Sequence, residues 1–136
     1  MLEIQFPDRP AFKLNSLLCD INGTLTLDGK LIDGVEAAVK QLKDRFEITL
    51  LSANTNGNAA DIARMLGVSL HVIHPGREVE QKADFLHSLG ESSTAAIGQG
   101  ANDVLMLKNA ALGICVLSRE GTAVAALNAA DIVVPD

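Results

Sequence analysis

The stretch Asp20-Ile21-Asn22-Gly23-Thr24-Leu25-Thr26 carries the residues best suited to chemistry. It follows the apolar run Leu14 to Cys19, which reads as a buried parallel strand ending at Asp20. A carboxylate at the C-terminal end of a central strand sits where open α/β sheets place their ligands. Gly23 permits a sharp exit from the strand, and Thr24 adds a hydroxyl and an N–H at the same mouth. The plainer alternative is that Asp20 only caps the following turn. A second group, Gly98-Gln99-Gly100-Ala101-Asn102-Asp103, has glycines that let the backbone approach a ligand. Its Asn102 and Asp103 open a helix whose N-terminal dipole favours anions.

The elements that must position these residues follow from periodicity. Leu2 to Phe6 alternates apolar and polar residues and predicts an edge strand, broken by Pro7-Asp8-Arg9-Pro10. Leu25 to Ile32 predicts a hairpin with Asp28-Gly29 as its turn. Asp33 is expected to cap a helix over 34–44, with Glu36 completing a capping box. Strands are predicted at Phe46 to Leu51, Val68 to Ile73, Thr94 to Ile97, Leu112 to Leu117 and Ile132 to Val134. Helices are predicted over 58–66, 79–89, 102–109 and 122–129, the first two stopped by Gly67 and Gly90. Strands alternating with helices imply a parallel sheet covered on both faces with right-handed crossovers. No linker or internal repeat interrupts the pattern, so residues 1–136 are expected to form one domain.

The stretch from Asp20 to Thr26 resembles the first motif of the haloacid dehalogenase superfamily, whose leading Asp is the phosphoryl-accepting nucleophile. Within that superfamily it is most similar to the phosphorylation domain of P-type ATPases, which carries Asp-Lys-Thr-Gly-Thr-Leu-Thr. Residues 98–103 resemble the fourth motif, Gly-Asp-Gly-x-Asn-Asp. Glu120-Gly121-Thr122 and Ala129-Ala130-Asp131-Ile132-Val133 resemble the segments that close the pump domain. The resemblance implies a three-layer Rossmann-like α/β fold and a role for each matched position. Asp20 would be the nucleophile, with the carbonyl of Asn22 a second metal contact. Thr24, Ser52, Ala53, Lys82 and Asn102 would hold the phosphoryl group, with Lys82 neutralising it. Asp20, Asn22, Gln99 and Asp103 would surround a magnesium ion. Between Asp20 and Ser52, and between Ile73 and Lys82, there is no room for the cap domain that larger members insert. The mouth is therefore expected to be open.

Departures from the motifs bear on activity. Asn22 stands where phosphatases of the superfamily carry an acid-base Asp, and an amide exchanges no proton at neutral pH. Asn54 replaces the Asp of the pumps' Thr-Gly-Asp, and Gln99 replaces a metal-binding Asp. Magnesium prefers carboxylate oxygens, so binding is expected to be weak until a substrate phosphate adds charge. Two functions follow: magnesium-dependent phosphoryl transfer or slow phosphate-ester hydrolysis through Asp20, or a phosphate-binding regulatory module with weakened turnover. A response-regulator receiver fails on order, because receivers carry their phosphorylated Asp after the third strand.

Bulk properties narrow the partners. A formal charge of −6, with no Trp or Tyr and four Phe, argues against a nucleic-acid partner. Cys19 and Cys115 lie in apolar runs and are expected to be buried thiols. His71 and His74 have no acidic or cysteine neighbour that would make a zinc site. No signal peptide or membrane-length apolar run is present, so the expected location is the cytoplasm, without a membrane partner. The expected substrate is phosphorylated. An uncapped mouth beside Leu25, Leu27 and Leu31 also predicts a homo-oligomer.

Overall fold

The computed structural model describes residues 1–53 and 58–136. Asn54 and Asn56 lie outside the described residues. Strands β1 (Leu2–Ile4) and β2 (Phe12–Leu14) pair antiparallel as a separate two-stranded sheet. The run from Leu14 therefore divides, and the central strand β3 is Ser16–Asp20. Then come the hairpin β4 (Thr26–Leu27) and β5 (Lys30–Leu31), helix α1 (Val35–Leu42), β6 (Glu47–Ser52) and α2 (Asn58–Leu66). The chain continues through β7 (Ser69–Val72), α3 (Glu78–Leu89), β8 (Thr94–Gly98) and a 3-10 turn at Ala101–Asp103. It closes with α4 (Val104–Asn109), β9 (Leu112–Val116), α5 (Val124–Ala129) and β10 (Ile132–Val134).

The main sheet is six-stranded and parallel, in the order β10-β9-β8-β3-β6-β7. From β3 the chain winds outward through β6 and β7, then crosses back to place β8 on the other flank of β3. The direction of winding reverses between β3 and β8, and open α/β sheets bind ligands at that crevice.

Side-chain alternation explains the layers. On β3, Leu17 and Cys19 enter a core with Ile48, Leu50, Val39, Ile62 and Leu66, which covers one face with α1 and α2. Leu18 points the other way and joins Leu51, Leu86, Met106, Leu107 and Ala126, under α3, α4 and α5. Asp20, two residues past Leu18, shares that second face, so its partner comes from α3. The result is a three-layer α/β fold with helices on both faces and, among the described residues, no cap domain.

Two local expectations differ from the structure. The cap of α1 is Gly34, in the left-handed region at φ 93°, and no side chain caps it. Asp33 stays exposed, and Glu36 pairs with Lys40 one turn on instead of closing a capping box. The helix predicted from Thr122 begins at Val124, because Thr122 is tied back to β9. Its hydroxyl donates to Val116 O at 2.7 Å and accepts from Ser118 N at 2.8 Å. Asp131 is likewise structural: it takes Gly113 N–H on Oδ2 at 2.8 Å while its own N–H donates to Gly113 O at 2.8 Å. Those two bonds fasten β10 to the start of β9.

Candidate active site

The turn after β3 is wound tightly around one carbonyl. The N–H groups of Thr24, Leu25 and Thr26 all donate to Ile21 O, at 3.1, 2.9 and 3.1 Å, and the Thr26 hydroxyl adds a bond at 3.2 Å. Such winding requires a left-handed residue, supplied by Gly23 at φ 78°. A Cβ there would also meet the tip of the Gln99 side chain, which reaches from the loop after β8 to this glycine.

Asp20 is held at both oxygens. Oδ1 accepts from Lys82 Nζ at 3.1 Å, and Oδ2 accepts from the Thr24 hydroxyl at 3.0 Å. Lys82, on α3, is only 2% exposed. Its ammonium also donates to Asp103 Oδ1 at 2.7 Å and Asn102 Oδ1 at 3.1 Å, which uses all three protons. Asp103 is fully buried, and its Oδ2 accepts Gln99 N–H and Gly100 N–H, each at 3.0 Å. Gly98 makes this close approach possible, since a Cβ there would lie 2.6 Å from Asp103 Cγ.

Two carboxylates and one ammonium leave this buried cluster with a net charge of −1 at neutral pH. Burial and the neighbouring Asp103 raise the Asp20 carboxyl from its ordinary 3.8 to about 6, against the opposing pull of Lys82 and Thr24. For Lys82, burial favours the neutral form, but Asp20 and Asp103 together outweigh it and raise its pKa. Burial, with Asp20 next to it, pushes the Cys19 thiol up to about 12; Cys115 is raised by burial and by Asp103. Both cysteines are buried and free, and neither is poised as a nucleophile.

A cavity of about 380 Å³ opens over this cluster, lined among others by Asp20, Asn22, Ala53, Lys82, Gln99 and Asn102. Residues from the ends of β3, β6 and β8 and from α3 thus meet at one mouth. Thr24 and Ser52 are not part of that lining and are buried, at 4% and 2% exposure. The Ser52 carbonyl accepts Ile73 N–H at 2.8 Å. His71 is stacked on Phe85 with ring centroids 4.0 Å apart, and burial and His74 lower its pKa. His74 is exposed, with its backbone bonded to the Gln81 side chain at 3.0 and 2.8 Å.

The donor set bears on a metal. Asp20, Asn22 and Gln99 bring oxygen donors to the same cavity, the kind that magnesium takes. Asp103 has both oxygens engaged by Lys82 and the two backbone amides. Among the described residues no group of three or more His, Cys, Asp or Glu is arranged to hold a metal. The set would offer a hard cation one carboxylate and neutral oxygens.

Contacts that sequence reading did not anticipate hold the hairpin. Asp28 N–H donates to Glu120 Oε2 at 3.0 Å, and the Asn58 amide donates to Gly29 O at 3.3 Å. No periodicity signals a bond between residues 92 positions apart.

No family model matches the chain. A soluble P-type ATPase-like phosphatase of Methanocaldococcus jannaschii is 28% identical over 116 residues, covering 83% of this chain and 42% of that protein. The chain thus spans about two-fifths of that relative's length. Among solved structures, a phospho-aspartyl intermediate analogue of phosphoserine phosphatase matches with a TM-score of 0.74 at 17% identity, over 91% of this chain and 94% of that one. The 3-deoxy-D-manno-octulosonate 8-phosphate phosphatase of Moraxella catarrhalis, in complex with magnesium and phosphate ions, matches with a TM-score of 0.71 at 19% identity, over 90% of this chain and 77% of that one. Taken with the sheet order, these likenesses show that the chain has the fold of those phosphatases and is similar in sequence to a soluble P-type ATPase-like phosphatase.

Proposed function

We propose that this protein is a magnesium-dependent phosphoryl-transfer protein of the cytoplasm, hydrolysing a phosphate ester slowly through an aspartyl-phosphate on Asp20. The observation that carries this reading is the clamp on Asp20, with one carboxylate oxygen on Lys82 and the other on Thr24, at the mouth of a cavity. A carboxylate held this way is oriented before the substrate arrives, and orientation is a large share of what such chemistry needs. Attack requires ionised Asp20, which favours pH above about 6 in the free protein.

Lys82 would turn from Asn102, the most exposed of its three partners, toward the incoming phosphoryl oxygen. Asp103 would keep the ammonium in place during that movement. The amides of Asn22 and Asn102 line the cavity and would donate hydrogen bonds to the phosphoryl group. When bound, magnesium would offset the charge of that group, held by Asp20, the Asn22 carbonyl and Gln99. Among the described residues of the cavity wall no second carboxylate replaces the acid-base group missing at Asn22, so hydrolysis of the phosphoenzyme would be the slow step.

A regulatory module that binds a phosphorylated molecule with little turnover is the second reading, favoured by the amides at Asn22 and Gln99. Steady-state hydrolysis of para-nitrophenyl phosphate separates the two. Turnover that needs magnesium and disappears in Asp20→Asn supports the enzyme. Phosphate binding without any turnover above background favours the module.

A further inference from the structure

The cavity over Asp20 is not the largest in the molecule. A second, of about 500 Å³, lies on the other side of Gly23, between the β4–β5 hairpin and the loop after β9. Its apolar walls are Leu27, Leu31 and Ile32 from the hairpin side and Val116 and Leu117 opposite. Leu117 is left 49% exposed beside it. The two walls are braced independently of any ligand. Thr122 fixes the 116–118 segment, Ser118 Oγ accepts Glu120 N–H at 3.1 Å, and the Glu120 carboxylate straps across to Asp28 N–H. The opposite side of the hairpin is held by Ile32 N–H on Leu25 O at 3.0 Å and by Asn58 on Gly29 O. A preformed, mostly apolar cavity with a few charged groups on its rim has the makings of a small-molecule site.

The rim sets the ligand's chemistry. Lys30 and Arg119 supply two positive charges, one from each wall, and Asp33 and Asp136 supply two negative ones. All four are exposed, and none forms an ion pair among the described residues. A simple anion would meet Asp33 and Asp136 as well as the two cations, and a simple cation would meet Lys30 and Arg119 as well as the two aspartates. A molecule with an apolar body and both charges meets neither problem. We infer that this cavity is a second ligand site, distinct from the Asp20 cavity, that takes a small apolar zwitterion with the chemistry of a free aliphatic or aromatic amino acid. The carboxylate would meet Arg119, whose planar fork suits it, and the ammonium would meet Asp33. Leu27, Leu31 and Val116 would hold the body. This inference does not rest on the phosphoryl-transfer reading.

The test uses L-leucine as probe, with 4-methylpentanoate lacking the ammonium and 3-methylbutylamine lacking the carboxylate. Binding to the intact chain is followed by calorimetry and by backbone amide shifts. Leucine should bind saturably, shifting Leu27, Leu31 and Leu117 more than Lys82, and each truncated probe should bind at least about tenfold more weakly. Arg119→Ala, at an exposed position that leaves the fold intact, should weaken leucine by a similar factor, and Leu31→Trp should fill the cavity and abolish binding. Asp20→Asn should leave it unchanged. The proposal is overturned if leucine does not saturate, if either truncated probe binds as tightly, if Arg119→Ala has no effect, or if Asp20→Asn removes binding.

Discussion

Replacing Asp20 with asparagine should make the metal-free protein more stable at pH 8. The carboxyl is raised from 3.8 to about 6, so the folded state holds its proton more tightly than the unfolded state does. Ionised Asp20 therefore destabilises the fold above pH 6, and the penalty fades as pH falls toward 4. A displacement of that size corresponds to about 3 kcal/mol. Asparagine keeps one of the two bonds to Lys82 and Thr24 and weakens the other, which returns about 1 kcal/mol. Lys82 still pairs with Asp103 at 2.7 Å, so no lone buried charge is created. The net gain is about 2 kcal/mol at pH 8. For 136 residues that raises Tm by about 7 °C. Thermal unfolding followed by circular dichroism in EDTA, at pH 8 and pH 4.5, measures it. The advantage should be largely gone at pH 4.5. Equal stabilisation at both pH values, or none at pH 8, refutes the assignment of strain to the buried carboxylate.

Removing the cation should do the opposite. Lys82→Met leaves Asp20 and Asp103 buried without their shared partner, which should cost about 3–5 kcal/mol in denaturant unfolding at pH 8 and less at pH 5. Asn22→Asp should raise para-nitrophenyl phosphate turnover, with a ceiling of about 10²–10⁴-fold. Adding Gln99→Asp should raise it further, which steady-state kinetics on the double variant would show. Magnesium should bind weakly to the free protein and more tightly with beryllium fluoride present, as read by calorimetry. Tight binding to the free protein, undiminished by Asp20→Ala, would contradict the weak donor set. Light scattering across the micromolar range tests the expected self-association, which a strict monomer would reject.

The elements were legible because β3, β6 and β8 are buried on both faces, and such strands leave continuous apolar runs. Sequence placed Asp20, Gln99 and Asn102 at strand ends, and the sheet order brings those ends together. It could not show that Asp103 is buried between Lys82 and the Gln99 and Gly100 amides, because no local pattern says which way a 3-10 turn aims a side chain. The Asp33 cap failed because Gly34 takes a left-handed conformation and moves Asp33 away from the helix end. Glu120 gave no local signal: its partner is a backbone amide at the tip of a distant hairpin.

The central claim is that Asp20 accepts a phosphoryl group. It is tested most directly by incubating the protein with acetyl phosphate and magnesium, quenching in acid and mapping the modified peptide by mass spectrometry. One phosphoryl adduct is expected, on Asp20, dependent on magnesium and absent from Asp20→Asn. An adduct on another residue, or one that survives in Asp20→Asn, would contradict it.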